Sequence, residues 1–375
     1  MGFEQVLRKT WRDNLLFSVL VELTYRCNLD CFFCYNDLGL RGEPLRTDQY
    51  LAFFEDLRDL QVLNLTLSGG EPLAHPDFLK LGARARELGF VVRVKSNGHA
   101  LRGEMARRLR DEVDPFLVEV SLHGATAATH DRQTRVAGSF DRLRANLGEA
   151  LGLGLRIKIN STVTRWNEGE IEGMLALADE LGVPLQLDPE VTPRDDGDVE
   201  PLSIAPSRQG LERLFALQAE RARSGASAVS VVREGDEEMV PRPMGISPSP
   251  SERERGMGSP KHCGAGSAGI AVDPYGNVYP CVQWRRPVGS LHEQSIREIW
   301  AGSTSLREVR KLTAQAREVV DAWGPAGPLL NFCPGSAATR TGDPLTVYSD
   351  AVRRAEVLGE VLEREKKRTL LPVVS

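Results

Sequence analysis

The chain has 375 residues, 41% of them hydrophobic and 26% charged, the make-up of a soluble globular protein longer than one average domain. Its net charge of −5 gives no electrostatic reason to expect nucleic acid or an anionic membrane surface as a partner. No basic segment followed by an apolar one opens the sequence, and the apolar run Leu15–Leu23 is too short for a bilayer and contains Glu22, so a cytoplasmic protein is expected.

From Phe17 to about Thr192, short runs rich in Val, Ile and Leu alternate with amphipathic segments. The expected strands are Phe17–Thr24, Asn64–Gly69, Val91–Asn97, Phe116–His123, Arg156–Thr164 and Leu185–Thr192. Between them, Thr47 is placed to cap a helix through Leu57, and Pro76 to open one that Gly89 stops. Asn167 with Glu170 reads as a capping-box start and Gly182 as a C-terminal stop. Six such repeats imply a parallel sheet covered by helices; periodicity alone does not separate an open sheet from a barrel.

Leu211–Ser224 reads as one more helix, followed by a turn-rich linker over Gly225–Lys261. Ile270–Cys281, with Asp273-Pro274-Tyr275-Gly276-Asn277 at its middle, predicts a β-hairpin. Asp350–Lys367 predicts a charged terminal helix.

The six cysteines are too few for a disulfide scaffold in a chain of this size, and they fall into two groups. Cys27, Cys31 and Cys34 share one loop after the first strand, at C-x3-C-x2-C spacing; Cys263, Cys281 and Cys333 lie in the last third. Structural zinc favours four ligands, usually as two C-x2-C pairs, and no fourth Cys or His follows the first group at suitable spacing. Three thiolates from one loop suit instead a [4Fe–4S] cube whose fourth iron stays open.

With its aromatic Phe33, the cysteine run resembles the hallmark of the radical S-adenosylmethionine (radical SAM) enzymes. The resemblance continues through Ser68-Gly69-Gly70-Glu71-Pro72, Ser96-Asn97-Gly98 and Ser121-Leu122-His123-Gly124, and covers roughly residues 15–195. It implies a partial (β/α)6 barrel over a core of residues 1–224. It also implies that S-adenosylmethionine chelates the open iron and, on receiving an electron, yields a 5′-deoxyadenosyl radical that takes a substrate hydrogen. An electron donor such as flavodoxin or ferredoxin is then expected. Ser68, Gly69, Gly70, Glu71, Asn97 and Ser121 are the implied cofactor contacts, with glycine admitting backbone close to a ligand and Glu71 offering a carboxylate to the methionine ammonium. Gly-Gly-Glu-Pro is equally a plain turn, and Asn97 and Ser121 equally strand-end residues serving nearby backbone. His123, near His130 and Asp131, is the one general-base candidate, against a structural histidine.

The tail resembles a shortened SPASM (twitch) extension over residues 262–375, a small α+β unit holding an auxiliary [4Fe–4S] cluster on Cys263, Cys281 and Cys333. The fourth iron of that cluster is expected to be either open or ligated by His262, Asp343 or substrate; buried free cysteine is the alternative. This combination resembles the peptide maturases, including the one acting in pyrroloquinoline quinone synthesis, and implies C–C, C–S or related bond formation on a ribosomally made peptide. The stretch before Cys27 is short for a peptide-recognition domain, so a separate recognition protein is expected. A twitch-type dehydrogenase of a small molecule and a non-catalytic iron–sulfur sensor are the alternatives; the intact Gly-Gly-Glu argues against the sensor.

Overall fold

The computed structural model describes residues 3–37, 39–223 and 260–370. All but the last two residues of the expected linker lie outside the described residues.

Six parallel strands follow one another in sequence order: β1 (Ser18–Thr24), β2 (Asn64–Gly69), β3 (Val91–Ser96), β4 (Leu117–Ser121), β5 (Ile157–Thr162) and β6 (Leu185–Asp188). The expected strand ends overrun by up to four residues; β6 stops at Asp188 because Pro189 has no N–H for the ladder. The crossovers are carried by α2 (Thr47–Asp59), α3 (Phe78–Glu87), α4 (Gly103–Arg108), α5 (Ala127–Thr134), α6 (Ser139–Gly152) and α7 (Ile171–Leu181), with α1 (Phe3–Asp13) ahead of the sheet and α8 (Arg208–Arg223) behind it. Thr47 is the first helical residue rather than the cap; the turn before it is closed by Arg46 N–H donating to Gln49 Oε1 at 2.9 Å. Gly182 ends α7 in the left-handed conformation, φ +65°, as expected.

The strands have two unlike faces. Val19, Val21, Leu65, Leu67, Val92, Val94, Val118, Val120, Ile157 and Ile159 are buried together with Phe53, Phe54, Leu81 and Leu147 of the helices. The alternate positions are polar: Lys95, Glu119 and Lys158 stand side by side in register, as do Ser121, Asn160 and Gln186. Glu119 lies 3.3 Å from Lys95 and 3.6 Å from Arg93, and accepts a 2.7 Å bond from Asn160. The array thus offers a wet inner face, as a partial barrel does.

The tail hairpin is formed by β7 (Gly269–Val272) and β8 (Asn277–Tyr279), its turn held by Asp273, which accepts from the N–H groups of Tyr275 and Asn277 at 2.9 Å. The sequence did not suggest where it docks. β7 pairs parallel to β1, so the hairpin and the two-residue β9 (Gly289–Ser290) extend the barrel sheet to nine strands, order β6-β5-β4-β3-β2-β1-β7-β8-β9. Beyond them come α9 (Ile296–Gly302), α10 (Thr304–Asp321), α11 (Pro334–Thr341) and α12 (Ser349–Leu370). Ile299 and Leu306 join the main core, and Val357 and Val361 of α12 pack with Leu211 and Leu214 of α8. Among the described residues no helix is long and apolar enough to cross a membrane.

Candidate functional site

The cysteine loop leaves the end of β1 and its backbone is pinned from two directions. Gly70 N–H donates to Thr24 O at 2.7 Å and Glu71 N–H to Arg26 O at 2.9 Å; Asp30 and Phe32 donate to Thr134 O and Gln133 O, both at 3.1 Å. A Cβ on Gly69 would lie 2.3 Å from Thr24 O, and one on Gly70 2.6 Å from Arg26 O. The glycines therefore admit the backbone of the cysteine loop, a reason for them that the sequence did not reveal.

Glu71, only 2% exposed, spans the ends of β2 and β3. Its carboxylate accepts from Leu73 N–H (3.1 Å), Ser96 Oγ (2.9 Å) and Asn97 N–H (2.8 Å). Burial pushes this carboxyl up, and the three donors oppose the shift. Asn97 continues the chain of contacts: its Nδ2 donates to Asn28 Oδ1 at 2.8 Å and lies 3.7 Å from Cys27 Sγ, while Asn28 Nδ2 donates to His99 Nδ1 at 2.8 Å. Ser68 is buried opposite Glu22 in register, and Ser121 is half-buried opposite Asn160.

Among the described residues no three His, Cys, Asp or Glu side chains close around a single metal ion. The donor set does fit a cluster that takes one thiolate per iron. Cys27 Sγ already accepts from Leu29 N–H at 3.4 Å, in the polarity a thiolate needs. Burial pushes all three thiols up, Cys34 to about 11, so a metal must displace their protons.

His123 sits past the end of β4, 5% exposed, its ring edge-on to Phe33 with centroids 4.6 Å apart. Burial and neighbouring His130 push its pKa down to about 3, which leaves a neutral ring at ordinary pH.

The tail thiols are also brought together. Burial raises all three; Cys281 lifts Cys263 further, to about 12, and both lift Cys333. Gly335, in the first turn of α11, lets that helix reach the Cys281 loop: a Cβ there would lie 2.4 Å from Gln283 O. Of the two named candidates for a fourth ligand, His262 Nε2 lies 2.6 Å from Phe332 O, and Asp343 accepts from Leu345 N–H and Thr346 Oγ1 in its own exposed turn.

Three acidic residues at the join carried no sequence signal. Glu22 of β1, fully buried, takes both prongs of Arg285 at 2.9 Å. Asp195, past β6, lies 2.8 Å from Arg285 Nε on the other side. Glu190 accepts from Tyr348 OH and from Arg354 at 3.1 Å, and its charge raises the Cys333 thiol. Tail arginines thus hold carboxylates from both flanks of the β1–β6 array.

A profile of the radical SAM superfamily matches residues 21–178, and one described as an iron–sulfur cluster-binding domain (SPASM) matches residues 263–321. The mycofactocin maturase MftC of Mycobacterium ulcerans is 31% identical over 299 residues, covering 77% of this chain and 76% of that protein. The AdoMet-dependent heme synthase of Methanosarcina barkeri is 29% identical, covering 77% and 83%. The PqqA peptide cyclase of Rhizobium meliloti is 29% identical, covering 78% and 76%. Among solved structures, native anSMEcpe with bound AdoMet and Cp18Cys peptide superposes with a TM-score of 0.68 over 94% of this chain and 99% of that one; at 15% identity it speaks for the fold alone.

Proposed function

The chain belongs to the radical SAM superfamily, and we propose that it is a maturase that abstracts a hydrogen from a peptide substrate to form a new bond. A radical SAM domain binds a [4Fe–4S] cluster and S-adenosylmethionine, and the SPASM domain is an iron–sulfur cluster-binding domain. Held at Cys27, Cys31 and Cys34, a reduced cluster with S-adenosylmethionine would supply the one-electron chemistry that removes a hydrogen from substrate.

In this reading Cys27, Cys31 and Cys34 hold the first cluster, and Cys263, Cys281 and Cys333 the auxiliary one. Residues 1–224 are the core and 262–375 the tail. The chain's own residues bind and orient. Gly69 and Gly70 seat the cysteine loop, Glu71 and Asn97 brace it from the ends of β2 and β3, and Ser68 and Ser121 line the inner rim. The observation that carries the proposal is the run of bonds from Glu71 through Asn97 to Asn28, which fixes the cysteine loop against the polar mouth of the array.

The peptide substrate is supported by the relative named as a peptide cyclase, and a peptide-recognition protein would present it. The relative named as a heme synthase, at equal identity, supports a second reading in which the substrate is a small molecule. Anaerobically reconstituted, dithionite-reduced protein should release 5′-deoxyadenosine, and mass spectrometry of a candidate precursor peptide should register a new bond. Release of 5′-deoxyadenosine with change only in a small-molecule substrate would replace the first reading by the second.

A further inference from the structure

Two layers of inner-face side chains cross the sheet below the first cysteine loop. Alternate residues of a strand share a face, so Asn97, just past β3, stands above Lys95, Ser121 above Glu119 on β4, and Asn160 above Lys158 on β5. The lower layer is charged. Arg93, Lys95 and Lys158 gather about one carboxylate, Glu119, which lies 3.6 Å from Arg93 and 3.3 Å from Lys95. Lys158 is the cation left over. It is half-buried, and its ammonium donates to the neutral Gln186 Oε1 and makes no ion pair among the described residues. Burial pushes it below the usual lysine value; Glu119 opposes the shift, and the charges of Lys95 and Arg93 add to it. The neighbouring acids are engaged elsewhere. Glu22 and Asp195 pair with Arg285, Glu190 pairs with Arg354, and Asp188 accepts from Glu190 N–H, where Arg354 and Lys95 act on it. In the upper layer Asn160 gives its Nδ2 to Glu119 at 2.7 Å, and its Oδ1 is buried without a hydrogen-bond partner.

We infer that Lys95 and Lys158 hold a carboxylate of the substrate inside the array, with Asn160 Oδ1 taking an N–H beside it. The inference rests on the proposed function and adds the chemical class of substrate that the site takes. β3 and β5 lie about 10 Å apart across β4, a gap that two lysine side chains close toward one point. A carboxylate there would accept charge-assisted bonds from two ammonium groups, one of which lacks a charged partner of its own. The rim formed by Asn97 and Ser121 lies two residues higher, about 7 Å, so the atoms next to that carboxylate would face the first cysteine loop.

Selection from peptide libraries reads this preference directly. The probes are hexapeptides with a free C-terminus and no Asp or Glu, hexapeptides amidated at the C-terminus with one Glu, and amidated hexapeptides with no acid. Each set is retained on reconstituted chain loaded with S-adenosylmethionine and read by mass spectrometry; radiolabelled glutarate is tested alongside. Wild type should retain one acid-bearing set about tenfold more than the acid-free set, and Lys95→Gln/Lys158→Met should bring the ratio to about one. Glu119→Gln, which removes the competing carboxylate, should raise the ratio several-fold, a gain that a misfolded variant would not show. The set retained tells a C-terminal from a side-chain carboxylate. Glutarate binding that the lysine variant loses, with no preference among peptides, would assign the carboxylate to a small molecule. Equal retention of all sets without glutarate binding would overturn the inference, as would a preference that survives in the lysine variant. Release of 5′-deoxyadenosine with dithionite is scored separately, and its absence in the wild type would overturn the proposed function.

Discussion

Arg285 and Glu22 meet in a two-pronged ion pair, each prong 2.9 Å long, joining the loop after the hairpin to the strand that leads into the first cysteine loop. Glu22 is fully buried, and without Arg285 its charge would keep the Tyr25 hydroxyl, which donates to Oε2 at 3.1 Å, but would lose its cation. Replacing Arg285 with Ala should cost about 3–5 kcal/mol, the range for breaking one side of a buried pair. Adding Glu22→Gln should recover part of it in a denaturation-based double-mutant cycle. A cost below about 1 kcal/mol would show that water reaches the pair.

The cluster ligands make a stoichiometric prediction. Reconstituted protein should bind about eight irons if both sites hold four-iron cubes, and about four after replacement of Cys263, Cys281 and Cys333 together. Cys31→Ala should abolish 5′-deoxyadenosine release. Iron content indifferent to the tail triple would remove the auxiliary site.

Gly70→Ala should separate the fold from the site. Its Cβ would lie 2.6 Å from Arg26 O and 2.7 Å from Tyr25 O, so the cysteine loop must shift. Circular dichroism should stay native, with a stability cost of about 1–3 kcal/mol, while the absorbance of the first cluster is lost. A fully loaded, active Gly70→Ala would show that the loop tolerates movement.

The histidines beside the loop set a pH dependence. Burial holds His123 at about 3 and His130 at about 4, both below the ordinary histidine value. The unfolded chain binds their protons first as pH falls, so stability is full above about 6.5 and declines below it. The slope should approach about 1.4 kcal/mol per pH unit for each histidine between about pH 6 and 4. His123→Phe should flatten it in urea titrations at several pH values; an unchanged slope would place the titrating group elsewhere.

Much of the first site was legible because its parts are local words at strand ends: Cys27 to Cys34 after β1, Gly69-Gly70-Glu71 after β2, Asn97 after β3. What those words do to one another was not. Gly70 reads as room for a ligand until its Cβ is found to point at Arg26. The hairpin was also legible, from Asp273 and Gly276 between two apolar runs, but its pairing with β1 was not, since an open strand edge leaves no mark in the residues that border it. Arg285 and Glu22 are separated by most of the chain, and neither stands in a pattern. Asp195 and Glu190 escaped notice for the same reason.

β1 carries a double duty. The first cysteine loop grows from its end, and the hairpin leading into Cys281 is hydrogen-bonded along its side. The two sulfur-bearing sites are therefore mounted on one continuous ladder, clamped again at Glu22 and Glu190, and cannot open and shut against each other like jaws. Loosening the backbone of β1 would thus misalign both cysteine groups at once.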